Sequence, residues 1–127
     1  MIASYFRMPE LAVLKRGLEG TSARLTAITD NLANASTPGY QRKLVRFEEA
    51  LGRAMEDPGP GFEARVAATP MRVQADTWSR LRADGNNVDF DQEMAAAAEA
   101  TGKSIAIMEL LTRQYAQLET ALRERMR

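Results

Sequence analysis

The chain has 127 residues, 45% of them hydrophobic and 27% charged, which is the composition of one folded domain. Its 17 basic and 17 acidic residues cancel, so no overall positive charge is present to attract nucleic acid, and we expect no nucleic-acid partner. The sequence contains no His and no Cys, which removes the commonest general base, metal ligands and thiol nucleophile; we expect no enzyme activity, metal, cofactor or small-molecule substrate.

The first 20 residues, MIASYFRMPELAVLKRGLEG, do not have the pattern of a cleaved secretory signal. No basic segment precedes an apolar run, and Arg7, Pro9 and Glu10 interrupt the apolar residues. No stretch approaches the roughly 20 apolar residues that cross a bilayer. Taken alone, this pattern favours the cytoplasm, and it is also compatible with export by a route that reads an uncleaved N-terminus.

A first helix is predicted from about Pro9 to Ala35, within a segment that we assign to residues 1–36. Apolar residues recur at alternating steps of three and four, which indicates a helix that buries one narrow stripe. This predicted seam consists of Leu11, Leu14, Leu18, Thr21, Leu25, Ile28, Leu32 and Ala35. Gly17 and Gly20 each cost about 1 kcal/mol relative to Ala, so the helix is weak on its own.

Residues 37–89 are predicted to form an irregular, partly extended and poorly ordered middle segment. The run KLVRFEEALGRAM indicates a short extended piece followed by about two helical turns, and EDPGPGFE is a loop rich in Pro and Gly. Further strand-like pieces are predicted around Val66 and Val73, with Pro70 limiting any strand.

A second helix is predicted over residues 90–127. Asp89 and Gln92 can form a capping box at its start, and Asp91 and Glu93 suit the N-terminal dipole. Its predicted seam again follows steps of three and four: Met94, Ala97, Thr101, Ser104, Met108, Leu111, Tyr115, Leu118 and Leu122. At 1.5 Å per residue such a helix reaches roughly 50 Å, which is too long for the core of a compact globule of this size.

Two long helices at opposite ends of the chain predict a mainly α fold, namely an antiparallel coiled-coil hairpin with the irregular segment between its arms. A two-helix hairpin buries little apolar surface and is marginal alone. We therefore expect this unit to complete its core by packing against copies of itself or against related chains.

The run DGNNVDFDQE is dense in carboxylates and amides, so a calcium site has to be tested. The EF-hand pattern needs an oxygen ligand at its fifth position and Gly at its sixth. Counting from Asp84, these positions hold Val88 and Asp89, which excludes an EF-hand. The run is better interpreted as a Gly-Asn turn that leads into a capped helix.

The run NLANASTPGYQRK ends the first predicted helix. Pro38 and Gly39 suit the central pair of a type II turn, with Gly supplying the positive φ, and Pro38 keeps Thr37 out of the helical region. Asn31 and Asn34 can hydrogen-bond the exposed carbonyls of the helix end or the turn backbone. Considered physically, the run is a helix stop.

Two runs of the sequence carry a resemblance to a known family. ITDNLANASTPGYQRKLVRFEEAL is similar to the N-terminal signature of the axial proteins of the bacterial flagellum, the rod, hook and hook-associated family. DGNNVDFDQEM, before the last helix, resembles the corresponding run of proximal rod members. The motif and assembly positions that this resemblance implies are Asn31, Leu32, Ala33, Asn34, Ala35, Thr37, Pro38, Gly39, Tyr40, Asp84, Gly85, Asn86, Asn87, Val88 and Asp89.

The resemblance implies a structural subunit of the proximal rod, in the periplasmic part of the flagellar basal body. Its terminal helices would pair and stack helically, and would link the membrane ring and its adaptor to the distal rod. The implied partners are other copies of the chain, other rod proteins, the rod–membrane-ring adaptor protein, the membrane ring and the flagellar type III export apparatus. That apparatus would export the chain without a cleaved signal peptide.

Two other functions are consistent with the same sequence. A cytoplasmic coiled-coil adaptor or export chaperone of the flagellar type III system would be a stable, folded dimer in isolation. A rod-associated peptidoglycan hydrolase would need two carboxylates in a concave site, whereas the acid pairs Glu48–Glu49 and Asp89–Asp91 fit ordinary surface residues. A rod subunit would instead be a mostly unfolded monomer that becomes ordered on assembly.

Overall fold

The computed structural model describes residues 9–126, and the structural statements below concern this part of the chain. The elements in chain order are α1 (Pro9–Ala33), β1 (Lys43–Arg46), α2 (Glu48–Met55), α3 (Phe62–Ala67), β2 (Arg72–Ala75) and α4 (Phe90–Arg125). The fold is mainly helical, and the predicted helical hairpin with a partly extended middle segment is confirmed. The predictions for the first eight residues and for Arg127 lie outside the described residues.

The helices α1 and α4 are the two arms of an antiparallel hairpin. Asn31 at the end of α1 hydrogen-bonds Glu93 at the start of α4, and Gln114 hydrogen-bonds Glu10 near the other end of α1. With 36 residues, α4 is about 54 Å long, whereas α1 has 25 described residues. The C-terminal part of α4 therefore runs past the described end of α1, whereas Tyr115 still lies beside α1, with its ring centre 5.9 Å from the Lys15 ammonium.

The side of α4 that packs on α1 differs from the predicted seam at every second position. Four predicted positions do lie half-buried: Ala97, Ser104, Leu111 and Leu118. The alternate positions of the contact are one residue earlier than predicted: Glu93, Ala100, Ile107 and Gln114. The corresponding predicted residues are exposed: Met94, Thr101, Met108, Tyr115 and, at the distal end, Leu122. The predicted seam is therefore wrong at these alternate positions. Three of the residues that take their place, Glu93, Ala100 and Gln114, are small or polar, and the fourth is Ile107.

In α1, the packed surface is centred on small residues. Ile28 is 5% exposed and Thr21 is buried, as the predicted seam requires. The other predicted seam positions in α1 are half-buried: Leu11, Leu14, Leu18, Leu25 and Leu32. Ala35, the last predicted seam position, is also half-buried but lies in the turn after α1. Gly17, Gly20, Ala27 and Asn31 are buried beside them, so the apolar leucines flank the contact instead of filling it.

The two helical glycines make room for their neighbours. A Cβ atom at Gly20 would lie 2.5 Å from the ring of Phe47, which is a clash, and a Cβ at Gly17 would lie 3.6 Å from the Ile107 side chain. The sequence showed the cost of these glycines in a helix. Because Phe47 belongs to the core, the missing side chain at Gly20 allows the middle segment to approach the backbone of α1 directly.

The middle segment is regularly folded, in contrast to the poor order expected for it. Strands β1 and β2 pair antiparallel, with Val45 opposite Val73. The segment surrounds a core of buried apolar residues: Ala27, Val45, Phe47, Leu51, Phe62 and Val66. The strand predicted around Val66 is wrong, because Val66 lies in α3, four residues after Phe62, and this helical spacing puts both side chains into the core.

Among residues 9–126, no helix combines the length and the apolar character that crossing a membrane requires.

Candidate functional site

The two motif runs of the sequence lie against each other at the end of α1. The N–H of Gly39 donates to the carbonyl of Asp84 at 2.8 Å. The side-chain amide of Asn86 donates to the carbonyls of Asn34, at 2.8 Å, and Thr37, at 3.0 Å. The Asp84 carboxylate in turn accepts from the N–H of Asn86. The second run therefore satisfies carbonyls that the end of α1 and the following turn leave without helical partners.

The Pro-Gly turn has the geometry that the sequence predicts. The N–H of Tyr40 donates to the carbonyl of Thr37 at 3.2 Å, and Gly39 has a φ of 73°. Gly85, in the second run, also has a left-handed φ, of 79°. A Cβ atom on Gly85 would lie 3.4 Å from the Cα of Gly39, so the two backbones meet closely at a pair of glycines.

Asn31 uses its whole side-chain amide to hold the start of β1. Its Oδ1 accepts from the backbone N–H of Lys43 at 2.8 Å and from the Tyr40 hydroxyl at 3.1 Å. Its Nδ2 donates to the carbonyl of Lys43 at 2.9 Å and to Glu93 at 3.1 Å. Since Asn31 is fully buried, both the donor and the acceptor are needed, and a carboxylate or an apolar side chain would leave polar groups unpaired.

Asn86 and Asn87 also use their side-chain amides to hydrogen-bond backbone groups, in two other segments of the chain. Besides its donor bonds, Asn86 accepts from the N–H of Val88 at 2.7 Å. Asn87 accepts from the N–H of Arg42 at 2.6 Å and donates to the carbonyl of Asp76 at 2.7 Å. Both asparagines are buried, so the Asn-Asn pair ties the second run to the residues before β1 and after β2.

A buried ion cluster lies beside these amides. Arg42 contacts Glu93 through its Nε and Asp76 through its Nη1, the latter at 3.3 Å. Glu93 is fully buried, Asp76 is 3% exposed, and the Arg42 side chain is 11% exposed. A buried cation between two carboxylates is stabilising relative to either ion alone, and removal of one partner leaves an uncompensated buried charge.

Asp76 is held in its ionised form. Burial favours the neutral carboxyl, but donors outweigh it: the Ser79 hydroxyl, the N–H groups of Trp78 and Ser79, and the Arg42 guanidinium lower the pKa of Asp76 to about 2. The carboxylate therefore fixes the backbone that follows β2 while it balances the charge of Arg42.

We refer to Asn31, Arg42, Asp76, Asn86, Asn87 and Glu93 as the polar junction. It links α1, the turn, both strand ends and the start of α4. Within residues 9–126, every buried side-chain nitrogen and oxygen has a hydrogen-bond partner, and no group of three or more acidic side chains is placed to hold a metal ion. With its donors and acceptors already engaged, the junction is suited to fixing the relative positions of these elements.

The remaining motif residues surround the junction. Asp89 caps α4 by accepting from the N–H of Gln92 at 3.0 Å, as predicted. Val88 is 2% exposed, and the carbonyl of Ala35 accepts from Arg82. The more peripheral members are exposed: Ala33, Thr37, Pro38 and Gly39.

Sequence reasoning did not identify the three charged members of the junction. Arg42 lies in the first motif run with no predicted role of its own, Glu93 is predicted only to suit the helix dipole, and no prediction involves Asp76. Their partners lie 34 and 51 residues apart along the chain, so no local pattern reveals the cluster. Glu93 lies one residue before the predicted seam position Met94, so the predicted heptad did not indicate its burial either.

Comparison with known proteins identifies the family of the chain. A family model described as "Flagella basal body rod protein" matches residues 11–41, which include α1 and the Pro-Gly turn. The flagellar basal body rod protein FlgB of Borrelia hermsii is 36% identical over 95 residues, covering 62% of this chain and 70% of the relative.

Two further relatives extend this match. FlgB of Borreliella burgdorferi is 33% identical over 100 residues, or 66% of this chain and 73% of the relative. FlgB of Bacillus subtilis is 26% identical over 115 residues, or 86% of this chain and 89% of the relative. The matched residues 11–41 include Asn31 to Tyr40 of the first motif run, and the chain belongs to the FlgB family of flagellar basal body rod proteins.

Proposed function

We propose that the chain is a structural subunit of the proximal flagellar rod, which polymerises by helical stacking of its terminal helices. In this role it links the membrane ring and its adaptor to the distal rod. The observation that most supports the proposal is an apolar row on the outer side of α4. We call this row the outer stripe, and it consists of Met94, Ile105, Met108, Tyr115 and Leu122, each between 42% and 54% exposed.

Within residues 9–126, each side chain of the outer stripe is about half exposed, and at Tyr115 the Lys15 ammonium lies 5.9 Å from the ring centre. Large apolar side chains scattered singly on a surface need no explanation, but here four of them follow one heptad position along α4, from Met94 to Leu122. A second helix laid along this row would bury them as the sequence pattern requires. We propose that this helix belongs to another subunit, because each of these side chains keeps about half of its surface exposed in the described part of the chain.

The polar junction gives such a subunit a fixed shape. The motif positions of the family set the angle between α1 and α4 through the turn at Gly39 and the amides of Asn31, Asn86 and Asn87. A subunit that offers one surface and accepts a different one makes a heterologous contact that does not close, which is the requirement for a filament. The proposed role of the motif residues is therefore to hold the stacking surfaces in register.

The proposed partners follow from this role. They are other copies of the chain, other rod proteins, the rod–membrane-ring adaptor protein and the membrane ring. The proposed location is the periplasmic rod of the basal body, reached through the flagellar type III export apparatus without a cleaved signal peptide. The family membership and the two motif runs support this assignment.

The proposal is tested by placing a charge on the outer stripe in a flagellated host whose own copy has been replaced. Met108→Asp is compared with Ala106→Asp, which is exposed on a different side of α4. We expect the Met108 variant to be detected outside the cytoplasm while motility is lost, because an isolated carboxylate opposes burial in an apolar contact. The Ala106 variant should remain motile.

The same measurement separates the alternative function. A cytoplasmic adaptor or export chaperone would remain inside the cell, bound to another export protein, and the wild-type chain would not be found in purified basal bodies. Recovery of the chain exclusively in the cytoplasm, as a stable dimer, would contradict the rod proposal.

A further inference from the structure

A second pair of surfaces lies outside the outer stripe, and the first of them is built around Trp78. This side chain is 87% exposed, and it is the single Trp of the chain. The backbone N–H of Trp78 donates to the carboxylate of buried Asp76 at 2.9 Å, and further along the loop the Arg82 side chain donates to the carbonyls of Ala35 and Val88. The loop is thus fixed on both sides of an indole that points into solvent, which is typical of a preorganised interface anchor.

The second surface is a groove near the other end of the hairpin. It lies between the first turns of α1 and the helices α2, α3 and α4, and its volume is about 380 Å³. Val13, Leu14 and Leu110 contribute apolar walls. This volume falls within the range of about 300–1,000 Å³ that is usual for ligand sites, so the groove can accept a bicyclic side chain.

The charges of the two surfaces are complementary. Among the described residues that line the groove, Glu10 is the one with a formal charge, and it accepts from the neutral amide of Gln114. Arg80 lies two residues after Trp78, is exposed, and makes no ion pair with any residue from 9 to 126. An indole entering the groove would bring this guanidinium toward the Glu10 carboxylate.

The two surfaces cannot meet within one chain. The Trp78 loop is anchored at the end of α1 that holds Asn31, whereas Val13 lies 18 residues earlier in the same helix, or roughly 27 Å along its axis. A contact between them joins the end of one subunit to the opposite end of the next. Such head-to-tail contact is heterologous and open-ended, as a filament requires.

We infer that Trp78 of one copy inserts into the apolar groove of the next copy, with Arg80 of the first facing Glu10 of the second. This inference rests on the proposed function as a polymerising rod subunit, and it specifies an axial contact that is distinct from the lateral contact of the outer stripe. The occupant of the groove is therefore a second copy of the chain.

The single Trp makes the inference measurable without a label. As the concentration of the purified chain is raised, sedimentation should show association, and Trp emission should shift to shorter wavelength because the indole leaves water. Leu110→Lys should weaken association by about tenfold or more, since it places a charge in the groove. The matched control is Thr112→Lys, an exposed position that does not line the groove. Trp78→Ala, followed by sedimentation alone, should have the same effect as Leu110→Lys.

A charge exchange tests the ion pair. Arg80→Glu and Glu10→Arg should each weaken association, and the double variant that carries both should restore most of it. Restoration is not expected from a merely structural effect of either change.

Three results would overturn the inference. The chain could remain monomeric at every soluble concentration, it could associate with no change in Trp emission, or association could be abolished by removal of residues 1–8 and unaffected by Trp78→Ala. The last result would assign the groove to that segment. In all three cases the rod function would stand, because it is tested separately by the motility and export of the Met108 variant.

Discussion

The two ends of the hairpin contrast in what they bury. At the polar junction, Asn31, Arg42 and Glu93 are inside and fully paired, whereas along the distal half of α4 large apolar side chains such as Tyr115 and Leu122 face water. This is the reverse of what hydrophobicity alone predicts for a monomer. The difference indicates that the junction end satisfies its polar groups within residues 9–126 of one chain, whereas we propose that the distal half of α4 contacts another subunit. The predictions that follow test this division.

The largest effect is expected from Arg42→Met, which leaves Glu93 and Asp76 buried without their shared cation. We expect a loss of about 3–5 kcal/mol in the free energy of unfolding, measured by urea denaturation with circular dichroism at 222 nm. An osmolyte such as trimethylamine N-oxide keeps a marginal chain folded for the comparison. Arg53→Met is the control, because that ion pair is exposed, and it should change stability by no more than about 0.5 kcal/mol. Equal effects of the two changes would refute a special role of the junction.

The next effect is a pH dependence carried by Asp76. Its pKa in the folded chain, about 2, lies below the ordinary value of 3.8, so its stabilising effect is present above pH 3.8 and is lost as the pH falls toward 2. Over that window the chain should lose about 2 kcal/mol from this group. The measurement compares wild type with Asp76→Asn at each pH: the difference in unfolding free energy should be largest near pH 6 and shrink toward pH 2. A constant difference would show that the carboxylate is not ionised in the junction.

A smaller effect is expected from changes at two glycines, Gly39 in the turn and Gly52 in α2. Gly39→Ala should destabilise the chain by about 1–2 kcal/mol, because an L residue with a side chain is strained at a φ of 73°. Gly52→Ala should have the opposite sign and stabilise by up to about 1 kcal/mol, because Gly52 lies inside α2 with open space around it. Thermal unfolding of the two variants checks both signs. The turn assignment fails if both changes stabilise the chain.

The smallest effect on the isolated chain is expected from Met108→Asp. Because Met108 is 47% exposed and lies outside the buried core cluster, the free energy of unfolding should change by no more than about 1 kcal/mol, including the lower helix propensity of Asp. The same substitution should abolish motility, as described above. Substantial destabilisation of the isolated chain would mean that the outer stripe belongs to its own core, which would remove the contrast between the two ends.

The sequence predicts the hairpin, the turn and the cap of α4 because each depends on residues close together in the chain. Gly39 and Asp89 are such cases: the positive φ and the cap bond involve partners within three residues. The packed side of α4 was not predictable in the same way. There Ile107 and Glu93 face α1, and their neighbours on that helix, Gly17 and Asn31, lie more than 60 residues away in the sequence.

The core of the middle segment shows a second limit. Val66 favours a strand by its own propensity, yet it lies in α3, where it is fully buried beside Phe62. Likewise, the sequence predicts a turn at Asn86 and Asn87. The backbone groups that their side chains hydrogen-bond, at Thr37 and Arg42, belong to the other motif run. Long-range contacts of this kind determine the geometry of the site, and a local sequence pattern does not reveal them.

The spacing of the junction along the chain also governs when it can form. Glu93, a partner of both Asn31 and Arg42, follows them in the sequence by 62 and 51 residues, respectively. At a synthesis rate of about 5–20 residues per second, roughly 3 to 12 s pass before Glu93 follows Asn31 out of the ribosome. Contacts that are distant in sequence also form slowly, because the chain loses the entropy of loop closure before the contact contributes any favourable energy. The polar junction of a newly made chain therefore cannot be completed until the start of α4 has been synthesised.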